Sequence, residues 1–170
     1  MANDAWVRYK LQRKLFSIGE DFWIENEQGQ SVFKIDGKAL SLREKFILED
    51  QAGNQLLTVE AKLIAVRPTM KIERDGRLYA TVTKKLLTVF RQHYTIHVEG
   101  GPAYEAGGNF TNHEYEVTDG GKPVAQISRQ WFSIRDAYGV AVAPDVDQAL
   151  MLAAAVCIDE ISEREREEHH

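Results

Sequence analysis

The sequence predicts a mainly β protein: a twelve-stranded antiparallel barrel of repeated hairpins that encloses one apolar C-terminal α-helix. Three observations predict it. A unit of about 24 residues repeats along the chain, apolar residues stand two apart inside each unit, and a ten-residue run, Ala149–Ile158, has no polar face. The chain has 170 residues, 44% of them hydrophobic, which is enough to bury a core and offset the entropy lost on folding.

The repeat is visible in five segments that align on their first residue: Lys14–Ile18, Lys38–Leu42, Lys62–Val66, Lys85–Val89 and Gln130–Ile134. Their starts are separated by 24, 24, 23 and 45, the last gap being two periods, with a degenerate copy near Gly107 and Gly108. Each start is followed by an alternating segment, a turn glycine and a second alternating segment. The turn glycines are Gly29, Gly53, Gly76, Gly100 and Gly121.

The first segments of the pairs include Phe22–Ile24, Phe46–Leu48, Met70–Ile72, Tyr94–Ile96 and Tyr115–Val117, each with the period of a half-buried strand. Their partners include Val32–Ile35, Leu57–Val59, Leu78–Val82 and Val124–Ile127. Asp75-Gly76 and Asp119-Gly120 are hairpin signals, because these residues tolerate the positive φ of a tight turn. Five hairpins, an opening strand near Trp6–Leu11 and a last strand at Tyr138–Val142 make about twelve strands. Pro123 lies closest to a strand and marks an edge or a strand start, since it has no N–H to give a ladder.

Helix signals come last. Asp145, with Gln148 three residues on, reads as a variant capping box, and the run to Ile158 is apolar all round. Such a helix is surrounded by protein or lipid, and ten residues are about half of what a bilayer requires. A sheet closed around it covers both the helix and the strands' inner faces, and closure removes edge strands. The expected organisation is one domain over residues 1–170, with strands from about 6 to 142, a central helix from about 145 to 162 and a charged tail, 163–170.

At this level of detail the chain resembles the LURP-one-related family. The resemblance rests on Lys14–Phe22, Gly29 and Val32–Lys38, and then on Asn112–Val117, Val124–Ser133, Asp136–Val140 and Leu152–Asp159. It covers about Tyr9 to Asp159. It implies the tubby C-terminal-like fold and kinship with the phospholipid scramblases. It implies no catalysis. Tubby relatives bind phosphoinositide head groups, which by analogy of fold makes an anionic lipid the implied ligand.

The residues themselves declare no reaction. His93 and His97 lie about 13 Å apart along a strand, too far to share a metal, and His113 approaches them only through strand pairing. Ser17, Ser41 and Ser133 recur at one repeat position, as structural residues do, and no Gly-x-Ser-x-Gly occurs. Asp50–Asn54 lacks the alternating ligands of a calcium loop, and the paired glycines lack phosphate-loop spacing. The lone Cys157 reads as a small buried hydrophobe. Scattered aromatics, Trp23 and Phe46 among them, read as core rather than as a stacking platform for nucleic acid. No cofactor or metal is expected.

Charge is the one asymmetry. The net charge is −5, which gives no general attraction to nucleic acid. In an up-and-down barrel, however, hairpin turns gather at one end and the links between repeats at the other. The link windows 13–20, 37–44, 61–68, 84–91 and 129–136 hold eleven Lys and Arg against three acids. The hairpin windows 25–30, 49–54, 73–77, 99–103 and 118–122 hold eight acids against three bases. The candidate ligand-binding residues are therefore Lys14, Lys38, Arg43, Lys62, Arg67, Lys85, Arg91 and Arg135.

The expectation is a non-catalytic binding module whose basic rim meets anionic phospholipid head groups or another polyanion. A protein-interaction scaffold and an enzyme with an unrecognised pocket are the competing classes. A lipocalin-like carrier needs an empty lumen, which the helix fills. Met1–Asp4 lacks the basic and apolar regions of a signal peptide, and no stretch is long enough to cross a bilayer as a helix. The expected location is cytoplasmic, peripheral at the membrane where lipid is the ligand.

Overall fold

The computed structural model describes residues 5–12, 21–36, 45–61, 67–85, 92–109, 114–128 and 137–168. Twelve strands follow in chain order: β1 Val7–Gln12, β2 Phe22–Asn26, β3 Ser31–Asp36, β4 Lys45–Asp50, β5 Gln55–Ala61, β6 Thr69–Arg74, β7 Arg77–Lys85, β8 Gln92–Val98, β9 Ala103–Asn109, β10 Glu114–Asp119, β11 Lys122–Ser128 and β12 Ala137–Val142. Each pairs antiparallel with its neighbours in sequence, and β1 pairs with β12 from Val7↔Val142 to Gln12↔Ala137, which closes the barrel. The predicted fold class is the observed one.

The five turn glycines singled out in the sequence all have positive φ, between 70° and 88°. One residue past four of the turns the ladder slips, and an extra residue is squeezed into the second strand: Val32, Leu56, Tyr79 and Val124. These residues keep the repeat's own spacing. The first three are partly buried and Val124 is fully so, and all pack on the core. Pro123 stands beside one such slip, opposite Thr118. It is neither at an edge nor the first residue of its strand, because a bulge tolerates the missing N–H as well as an edge does.

Alternation along the strands carries the core. Ile24, Ile35, Phe46, Val59, Ile72, Val82 and Ile96 are each 0% exposed, and all face the lumen. The lumen is filled by α1, Gln148–Glu168. Leu150 through Ile158 are all buried at 2% exposure or less, as the apolar run predicts, while Ala149 is only partly covered.

The helix runs from the hairpin end toward the opposite end. Gln148 Oε1 accepts from Tyr9 Oη on the early part of β1, and Ser162 Oγ lies 3.1 Å from Tyr94 Oη near the start of β8. The helix begins at Gln148 rather than 145 because Asp147, not Asp145, caps it: its Oδ1 accepts the Leu150 N–H at 3.1 Å. Gln148 does not return to close a capping box. Its Nε2 instead donates to the carbonyls of Ala143 and Val146. The helix also continues to Glu168, past the expected end at 162. It is about 31 Å long at 1.5 Å per residue, whereas a six-residue strand spans about 20 Å, so its last turns run beyond the strand ends. Among the described residues no helix is long and apolar enough to cross a membrane.

Candidate functional site

Of the eight cations expected to form a rim, Lys14, Lys38, Arg43, Lys62, Arg91 and Arg135 lie outside the described residues. Arg67 and Lys85 are described, and the structure brings their backbones together. Arg67 is exposed just ahead of β6, and the Lys84 N–H donates to the Pro68 carbonyl at 3.1 Å, which sets the end of β7 beside it. Around that end the described strand termini carry Lys45, Arg67, Lys84 and Lys85 against Asp21, Asp36, Glu60 and Glu114. That part of the end is balanced, so the surplus of cations counted there in the sequence comes from the link segments. The hairpin end is acidic as counted, and the link to α1 adds Asp145 and Asp147.

Lys85 does not stand free. Its Nζ is 3.0 Å from Glu105 Oε1, two strands away on β9. The other oxygen, Glu105 Oε2, is 3.8 Å from His93 Nδ1. His93 is opposite Lys85 on one side and Gly107 on the other. A Cβ at Gly107 would stand 3.1 Å from His93 Nε2 and 3.2 Å from Cε1, so the glycine leaves room for the imidazole to lie against the wall. His93 is thus a wall histidine, as expected. The carboxylate it shares with Lys85 has no signature in sequence spacing, because three strands bring the group together.

On the other side of the barrel Trp23 is 46% exposed on β2, contrary to the core role expected of it. Lys34 Nζ lies 5.8 Å from its ring centroid. The same ammonium is 3.3 Å from Glu49 and 3.8 Å from Asp21. The hydrogen bond with Glu49 is the main reason that the Lys34 ammonium holds its proton more tightly than usual.

At the hairpin end a shallow open groove of about 390 Å³ is lined by Arg74, Asp75, Arg77, Leu78 and Tyr79. Tyr79 is the polar member of the otherwise aliphatic set of bulged residues, and its position over the helix start follows from the bulge. Its hydroxyl donates to Asp147 Oδ2 at 2.7 Å, and Arg74 Nη2 donates to the same oxygen at 2.7 Å. The guanidinium carbon of Arg74 sits 3.9 Å from the Tyr79 ring centroid. Burial alone would raise the Asp147 carboxyl, but bonds from Tyr79, Arg74 and the Leu150 N–H outweigh it and hold the carboxyl below its ordinary range. Arg74 is therefore occupied with latching the helix, whereas Arg77 is exposed.

Inside the barrel, toward the opposite end, Asp159 and Ser162 of α1 are buried at 3% and 6% exposure. Burial, and then the nearby Asp159 charge, push the phenols of Tyr115 and Tyr138 well above their usual range. At the same level the Ser162–Tyr94 hydrogen bond ties the helix to β8. Burial likewise pushes the Cys157 thiol up, so little thiolate forms.

Among the described residues, no group of three or more His, Cys, Asp or Glu could hold a metal ion. His93 and His97 both belong to β8, and His113 lies outside the described residues.

The chain is 28% identical over 158 residues to the uncharacterised protein YxjI of Bacillus subtilis (strain 168), covering 93% of this chain and 95% of that protein. The X-ray structure of the Arabidopsis thaliana protein AT5G01750 superposes with a TM-score of 0.70 at 20% identity, covering 95% of this chain and 94% of that one, a likeness of fold. The pattern of the LURP-one-related family runs from residue 7 to 159, through every strand of the barrel and most of the buried helix, and the chain belongs to that family.

Proposed function

We propose that this protein is a non-catalytic barrel that docks one end on an anionic phospholipid surface. The observation that carries the reading is the charge pattern of the sequence set against the up-and-down order of the strands. The hairpin end is acidic, while the sequence windows that link the strands hold eleven Lys and Arg against three acids, eight of those cations outside the described residues. Arg67 stands exposed there, ready for a phosphate. An acidic far end turns away from the same surface, so association is oriented and falls steeply with salt. The lumen is filled by α1, and the groove at the hairpin end is open, with Arg74 and Tyr79 both bonded to Asp147. These features favour a binding surface over a reaction chamber. The location that goes with this reading is cytoplasmic and peripheral at the membrane.

Sedimentation with phosphatidylcholine vesicles, with and without phosphatidylserine, tests it at low and at physiological salt. Binding should require the anionic lipid. Each engaged cation contributes about 1 kcal/mol near such a surface, so three or four suffice for detectable association. Charge reversal of Lys62 and Arg67 to Glu should abolish it. The control reversal at the hairpin end is Arg77 and Lys122, both exposed. Arg74 is unsuitable because it holds the helix. Wild-type protein that ignores anionic vesicles at low salt would end this proposal.

A further inference from the structure

We propose that the β6–β7 side of the hairpin end is a docking surface for a basic segment of a protein partner, which sets an apolar side chain against Leu78 and its Lys or Arg residues against the surrounding carboxylates. This surface lies at the opposite end from the proposed lipid contact and does not depend on it.

The uneven use of acids around this end carries the inference. On the β2–β5 side the carboxylates are occupied. Glu25 and Glu27 each lie 3.7 Å from a cation of β1, Lys10 and Arg8 respectively. Glu49 lies 3.3 Å from Lys34, and Asp50 accepts from the N–H groups of Ala52 and Asn54 within its own turn, both at 2.9 Å. Around the groove the pattern changes. Glu73, Asp75, Asp119 and Asp145 have no hydrogen-bond or ion-pair partner among the described residues. Glu99 has the ring of His97, 3.7 Å away. Arg74 is cancelled by Asp147 at 2.7 Å, which leaves Arg77 and Lys122 against those five carboxylates.

The backbone sets these acids round one apolar spot. Leu78 is 43% exposed and lines the groove of about 390 Å³ together with Arg74, Arg77 and Tyr79. Glu73 is directly opposite Leu78 across the β6–β7 pair, and Asp75 stands in the turn that joins them. The Glu99 N–H donates to the Tyr79 carbonyl at 2.9 Å, which fixes β8 beside the groove. Burial, and then Asp119, Asp147 and Asp145, raise the Tyr104 phenol, so these three carboxylates gather within reach of one hydroxyl on β9. A single exposed leucine is common. One set in a groove, with unmatched charge of one sign about it, is an apolar anchor with a polar rim. That charge repels nucleic acid and anionic lipid alike, whereas Lys and Arg can lay their stems on apolar surface and extend their charged heads to the rim.

The test is a titration of isotope-labelled protein with the peptide acetyl-Lys-Arg-Leu-Leu-Arg-Lys-amide at low ionic strength, followed by amide chemical shifts. The same peptide with both leucines replaced by serine is the comparison. Shifts should cluster on Glu73–Tyr79, Glu99 and Asp145, and the leucine peptide should bind about fivefold more tightly than the serine one. Leu78→Ser should erase that difference while the melting temperature stays unchanged. Asp75→Asn combined with Asp145→Asn should weaken both peptides about fivefold, and asparagine tolerates the positive φ at position 75. Glu27→Gln, four strands round the same end, should change neither. The proposal is overturned by any of four results: no shift with either peptide, shifts spread evenly over the acids of the whole end, equal affinities for the two peptides, or an unchanged difference in Leu78→Ser. Sedimentation velocity of the protein alone addresses the other occupant: self-association that is lost in Leu78→Ser would assign the surface to a second copy of this chain and overturn the partner reading.

Discussion

Asp147 is the residue on which the attachment of the central helix turns, and replacing it by alanine removes three contacts at once. The helix loses its N-cap, worth about 1 kcal/mol. The Tyr79 hydroxyl, in a partly buried setting, loses its acceptor, which costs about another 1 kcal/mol. The ion pair with Arg74 adds little, between about 0 and 1 kcal/mol, because the arginine side chain is 40% exposed and screened. The expected loss is about 2–3 kcal/mol, or roughly 5–10 °C in melting temperature for a chain of this size. Asp147→Asn keeps one side-chain acceptor, enough for the cap, but sets an NH2 group where Oδ2 accepts from Tyr79 and Arg74, and should lose about 1–2 kcal/mol, less than the alanine variant. Thermal melting followed by far-ultraviolet circular dichroism measures both variants.

The same carboxylate makes a pH prediction. Its folded-state affinity for protons is depressed, so its contribution is fully present above the unfolded aspartate value of about 3.9 and is lost as pH falls through the lower folded value. The gap between wild type and Asp147→Ala should therefore narrow below about pH 4. The reasoning is refuted if Asp147→Ala melts with wild type at neutral pH, or if the asparagine variant is as damaged as the alanine one.

Three further outcomes follow from the packing. Ala154→Asp places a charge where the side chain is 1% exposed and strands surround it, at a cost of several kcal/mol, so expression should give no soluble folded protein; a stable variant would contradict the central-helix arrangement. Cys157 is 0% exposed with a raised thiol pKa, so a thiol reagent should label it only after unfolding, and rapid native labelling would contradict its burial. Gly108→Ala puts a Cβ 2.5 Å from the Glu114 carbonyl oxygen at a φ of +143°, where β9 and β10 approach closely. A loss of about 3 kcal/mol in urea unfolding is expected, and an unchanged midpoint would show that the ladder can shift to admit the methyl.

How much of this was readable beforehand depends on how far apart the cooperating residues lie. Periodicity and turn chemistry are local, so the repeat, the positive-φ glycines and the twelve strands were all present in the order of residues. The apolar run from Ala149 to Ile158 was legible for a related reason: no solvent-facing helix has that composition, and a β chain of this length offers it one enclosed space. The repeat even carried a hint of the helix latch, since Tyr79 stands where the other units place Val32, Leu56 and Val124. Its meaning was hidden because a bulge is a property of two paired strands. The choice of Asp147 over Asp145 as the cap was decided by Arg74 and Tyr79, some seventy residues earlier. The Lys85–Glu105–His93 group and the Tyr94–Ser162 contact were likewise decided by tertiary structure alone. Each joins residues from separate elements, and electrostatic and hydrogen-bond energies depend on distances of a few ångströms that sequence separation does not encode.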